Sequence, residues 1–130
     1  MIFNAKNEVD LNDFKEMSPA LLILFTHTVL YCHEYGIPLS ITSIKSDRDG
    51  IESASTTHEE GRAIDISVKG WSTLHIERFV YLTNLHYADI AAISASDYKP
   101  RAAVYHEGTA YHIHLQVKPE AKINRFVSYK

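Results

Sequence analysis

The chain has 130 residues, 45% of them hydrophobic and 22% charged, the proportions of one ordinary globular domain, which excludes a disordered chain. Thirteen Lys and Arg stand against 16 Asp and Glu, a formal net charge of −3. No block of like charge occurs, so a surface built to coat nucleic acid or to enter an anionic membrane is not expected.

The first eight residues carry no basic stretch leading into an apolar run, so no secretory signal is expected and synthesis in a cytoplasm is. Ser18-Pro19 then opens a predicted helix, serine as its cap and proline in its first turn. Residues 20–35 read as a largely buried helix that Gly36 ends and Pro38 prevents from continuing. Its apolar run is too short to span a bilayer. Cys32, the one cysteine, excludes an internal disulfide and reads as a small buried hydrophobe between apolar neighbours. Residues 39–45 are β-rich. Residues 46–61 are polar without helical period and read as a loop of a length that often carries function. Residues 63–68 alternate, with Ile64, Ile66 and Val68 on one face and Ala63, Asp65 and Ser67 on the other. Ser72 or Thr73 caps a second helix that runs to about residue 85, with Leu74, Phe79, Val80 and Leu82 as its apolar face. Strands are predicted at 90–95 and 102–106, a tight connection at Glu107-Gly108-Thr109, and a last strand at 110–117. Residues from 118 onward have no assignment. Two main helices and four or five strands closing in a hairpin define an α+β fold with a mainly antiparallel sheet, in a single domain spanning residues 1–130 and expected to be monomeric.

Chemistry concentrates in two stretches. In His58-Glu59-Glu60-Gly61-Arg62-Ala63-Ile64-Asp65, a histidine at the end of the loop precedes a glycine suited to a sharp turn, and an aspartate sits between two isoleucines. A carboxylate in such a strand either faces solvent on an open sheet face or meets a cation or hydrogen-bond donors. In Tyr111-His112-Ile113-His114-Leu115, alternation puts His112 and His114 side by side. They are either two solvated imidazoles or two groups that reach one metal centre. Imidazoles with a carboxylate suit zinc, and three protein ligands with one open position is what a hydrolytic zinc site requires. A thiolate site is excluded by the single cysteine.

The segment Thr56-Thr57-His58-Glu59-Glu60-Gly61-Arg62-Ala63-Ile64-Asp65, followed by His112-Ile113-His114, resembles the metallopeptidases that include zinc D-alanyl-D-alanine carboxypeptidases, phage L-alanyl-D-glutamate endolysins and the hedgehog signalling domain. Their pattern is His-x-x-Gly-x-Ala-x-Asp, then His-x-His. His58, Gly61, Ala63 and Asp65 match all four fixed positions of the first part, and the resemblance covers about residues 20–118. It implies that His58, Asp65 and His114 bind Zn2+, that His112 lies at the catalytic centre without being the third ligand, and that the substrate is a stem peptide of bacterial peptidoglycan. Two positions depart from the pattern. Thr56 stands where relatives often carry Ser, and Ser43-Ile44-Lys45-Ser46 lacks the arginine of a Ser-x-x-Arg pattern, with Lys45 and Arg48 close by as candidate substrate cations.

A zinc site of this kind polarises the scissile carbonyl and acidifies water. His112 is the candidate base, with Glu107 its rival. His106, ending the strand that precedes the hairpin, is a candidate at the edge of the cleft. His27 and His33 are expected in the core or at its rim, and His75 and His86 at the surface. Trp71 and the eight tyrosines read as core or rim aromatics. Two rival functions remain open: a non-catalytic zinc module that binds a wall or protein partner, and a phosphoesterase using His106, His112 and His114. The latter lacks a second histidine motif or a phosphate cradle.

Overall fold

The structure is a computed structural model that describes residues 3–6, 9–44, 61–94, 97–107 and 111–122. The first long element is helix α1, Pro19–Tyr35. Proline at its first position has no N–H to satisfy there. Ser18 occupies the cap position but its side chain makes no capping bond; its backbone N–H donates to the Gly61 carbonyl at 2.9 Å instead. Gly36 ends the helix with φ +64°. The Ile37 N–H reaches back to the Cys32 carbonyl at 2.8 Å, the glycine-terminated stop that the sequence predicts. Helix α2, Thr73–Tyr87, starts at Ser72, whose hydroxyl accepts from the His75 N–H. Short 3-10 turns occupy Leu11–Glu16 and Ala88–Ile90.

Among the described residues the strands are β1 (Asn4–Ala5), β2 (Ser40–Ser43), β3 (Ala63–Ser67), β4 (Ala92–Ile93), β5 (Pro100–Arg101), β6 (Ala103–His106) and β7 (His112–Gln116). Five of them form one sheet in the order β1-β2-β3-β7-β6, and β4 and β5 form a separate two-stranded ribbon. Every pairing in the sheet is antiparallel except β1 with β2, which is parallel. The fold is therefore α+β with a mixed sheet. The strand predicted at 90–95 shortens to two ribbon residues, because Ile90 closes a 3-10 turn and Ala91 makes only an isolated bridge to Val117.

Alternation sorts the two faces of the sheet. Ile41, Ile64, Ile66, Ile113 and Leu115 join Leu21, Leu24 and Phe25 of α1 and Ile76, Phe79 and Tyr87 of α2 in one buried cluster. At roughly 1.5–3 kcal/mol for each large apolar side chain buried, this face supplies most of the driving force for the fold. The α2 stripe differs from the predicted one. Ile76, Phe79, Thr83 and Tyr87 face inward, at steps of three and four, while Leu74 is 70% exposed. Two residues before Ile76 is nearly the opposite side of a helix. Cys32 is buried as expected, and burial pushes its thiol up to about 12.

The other histidines sort by packing. His75, expected at the surface, is half-buried because the Tyr31 hydroxyl and its Nδ1 lie 2.9 Å apart. His33 is exposed. His27 is in the core, its Nε2 3.3 Å from the Thr83 hydroxyl and its ring edge-on to Tyr87. Burial first, and the nearby His86 second, lower its pKa to about 3 from 6.5. The unfolded chain therefore binds the extra proton between these two values. His27 contributes stability that is complete above about pH 6.5 and is lost as pH falls towards 3, at up to about 1.4 kcal/mol per pH unit. His27→Gln is expected to flatten the acid side of a stability–pH curve measured by urea unfolding. Parallel curves for the two proteins would show that this ring does not stay neutral in the fold.

Candidate metal centre

The polar face of the sheet gathers the chemistry. The β3–β7 register sets Asp65 directly opposite His114 and Ser67 opposite His112. The β6–β7 register sets His106 opposite His112. Residues opposite one another on adjacent strands share a face, so Asp65, His106, His112 and His114 converge from three strands. Gly61 leads into β3 with φ +70°, and a side chain there would collide with the Glu16 backbone, so this connection requires glycine.

Asp65 is fully buried, which excludes a solvent-facing strand carboxylate. Its Oδ1 lies 2.8 Å from His114 Nδ1, and its Oδ2 lies 3.9 Å from His112 Nε2. The two histidine side chains are only 12–13% exposed, so neither is a freely solvated ring. His106 is exposed at the outer side, stacked on His112 with ring centroids 5.0 Å apart, and 6.0 Å from His114. Glu107, next along the chain, is exposed as well.

Gln116 is the residue that the sequence reading missed. It follows His114 by two positions on the same face and is 5% exposed. Its amide nitrogen donates to the Arg101 carbonyl at 3.0 Å and to the Ala92 carbonyl at 3.4 Å. Its Oε1 therefore faces His114 Nε2, at 3.0 Å. An amide oxygen only accepts, so the hydrogen sits on Nε2. The stripe His112-His114-Gln116 on a predicted strand was the available signal.

That assignment tests whether zinc fits. With Nε2 donating, a neutral His114 ring turns the Nδ1 lone pair towards a carboxylate oxygen at 2.8 Å. Two acceptors that close repel unless positive charge joins them, from a second ring proton or from a cation. Imidazole nitrogen and carboxylate oxygen are donors of the zinc type, so the pair fits the metal. Among the described residues, no three His, Cys, Asp or Glu side chains form a metal-holding group on their own. His58, the third expected ligand, lies outside the described residues, as do Lys45 and Arg48. A groove of about 490 Å3 between α2 and β6, lined in part by Val80, Tyr81, Arg101 and Tyr105, includes none of the site residues.

No protein-family profile, curated protein or solved structure matches the chain. Among the described residues no helix is long and apolar enough to cross a membrane.

Proposed function

We propose that the chain is a zinc-dependent peptidase that hydrolyses stem peptides of bacterial peptidoglycan. The supporting observation is the buried Asp65 carboxylate set against His114 Nδ1 while Nε2 of the same ring is committed to Gln116. The peptide substrate rests on the motif resemblance, not on the geometry. On this reading Asp65 and His114 would hold the metal, together with His58. A zinc ion held there supplies Lewis acidity towards a carbonyl and acidifies water. His112, whose Nε2 lies 3.9 Å from Asp65 Oδ2, takes a proton from the attacking water and returns it to the leaving amine. His106 stacks on that ring, with centroids 5.0 Å apart.

Digestion of purified peptidoglycan, with mass analysis of the products, tests the reading. Stem-peptide fragments are expected with zinc and not after chelation. Zinc binding without cleavage would instead favour a binding module. Lys45 and Arg48 are the proposed cations for a substrate carboxylate, and Arg48 has the planar fork that matches one. Arg48→Ala is expected to lower kcat/KM on a defined stem peptide about tenfold, equivalent to about 1.4 kcal/mol. Unchanged kinetics would remove Arg48 from the site.

A further inference from the structure

Resting on the zinc reading above, we infer that Gln116 is a positioning residue: its side-chain oxygen, turned towards His114 by the β4–β5 ribbon, accepts from Nε2 and so presents His114 Nδ1 to the metal. The argument starts at the two hydrogens of that amide. They go to the carbonyls of Ala92 and Arg101, and these two residues are direct partners across the ribbon. Both donors are used, so the amide cannot turn over without placing its oxygen against two carbonyl oxygens. Its own oxygen is thereby held on His114 Nε2. An imidazole whose second nitrogen donates to a fixed acceptor keeps its lone pair on the first, in one ring orientation, and binds metal more tightly for it.

The ribbon is well placed to act as this support. It is tied to the end of β7 by the Ala91–Val117 bridge and by the Lys118 N–H on the Ile90 carbonyl at 2.8 Å. Its own turn is closed by the Ser94 N–H on the Lys99 carbonyl at 2.9 Å and by the Arg101–Asp97 ion pair at 3.0 Å. Gln116 is the side chain that passes this anchorage on to a candidate ligand. A short element outside the main sheet thus acquires a role that its size does not suggest.

Two substitutions separate this role from simple packing. Gln116→Leu removes the acceptor on Nε2. Gln116→Glu keeps an acceptor there but sets an oxygen against the two ribbon carbonyls, so a residue serving only as a structural tether would tolerate it no better than Leu. Zinc affinity measured by competition with a chromophoric chelator is expected to fall tenfold or more for Gln116→Leu, within the ~10–100-fold range of such outer partners, and to stay within about threefold of wild type for Gln116→Glu. Nitrogen-15 NMR of the imidazole rings in the wild-type chain supplies a readout that needs neither variant: His114 is expected to carry a hydrogen on Nε2. Equal losses in the two variants, unchanged affinity in Gln116→Leu, or a ring protonated on Nδ1 alone would overturn the inference. Failure of the wild-type chain to bind zinc would overturn the metal reading and, with it, the affinity claim, while the ring spectrum would still decide whether Gln116 sets the tautomer.

Discussion

Asp65→Ala is expected to abolish zinc binding and peptide cleavage together. The carboxylate is fully buried and contributes one of the two described donors, 2.8 Å from the other. Its removal leaves His114 without the anion that faces its Nδ1, and a site reduced to two imidazoles loses both charge compensation and geometry. Metal binding adds to folding stability by mass action, so the wild-type melting temperature is expected to rise with added zinc and that of the variant to stay still. Metal analysis after purification in zinc is the direct check. A variant that kept a full equivalent of zinc would show that Asp65 is not a ligand, and the buried contact with His114 would then be an ordinary structural ion pair.

His112→Ala is expected to do the opposite in one respect: it keeps zinc and fold but loses roughly a hundredfold in kcat, the range for a lost acid–base group. His112 Nε2 stands 3.9 Å from Asp65 Oδ2, whereas His114 Nδ1 stands 2.8 Å from Oδ1. The first ring is thus close to the centre without making its tightest contact. Imidazoles as a class exchange protons near neutral pH. Glu107 is exposed beyond the end of β6, and Tyr111, which precedes His112, is 60% exposed. Glu107→Gln is therefore expected to change kcat by less than about threefold, far below the full acid–base contribution. The comparison is made on the zinc-loaded proteins with a defined stem peptide. If Glu107→Gln caused the larger loss, the proton-transfer role would move to Glu107 and the metal assignment would stand unchanged.

The parts of the fold that were legible in the sequence are those whose side chains alternate or recur with a strong apolar contrast. Strands β3 and β7 read directly from Ile64, Ile66, Ile113 and Leu115, helix α1 from Pro19 and the Gly36 stop, and helix α2 from the Ser72 cap. Strand β1 left no such trace. Two residues, Asn4 and Ala5, join β2 through backbone bonds, from the Asn4 N–H to the Leu39 carbonyl and from the Lys6 N–H to the Ile41 carbonyl. Strand β5 was hidden because it contains Pro100, which lacks the donor expected of a strand residue and is tolerated here in a two-stranded ribbon. In the site, the shared face of His112 and His114 followed from period two. The placing of Asp65 opposite His114 did not, since strand register depends on tertiary packing. Gln116 escaped notice because its orientation is set by carbonyls of a ribbon that the sequence does not announce. His58, Lys45 and Arg48 rest on the motif resemblance alone.

The register of β3 against β7 also works as a proofreading step. A slip of one residue in β7 would turn His112, His114 and Gln116 into the helix-packed interior and Ile113 and Leu115 out of it. That error forfeits the burial of two large aliphatic side chains and buries three polar ones in their place. The same selection that fills the core therefore keeps His112, His114 and Gln116 on the face of Asp65 before any ligand is present. A one-residue slip therefore cannot leave the core intact while turning the polar side chains of β7 away from Asp65.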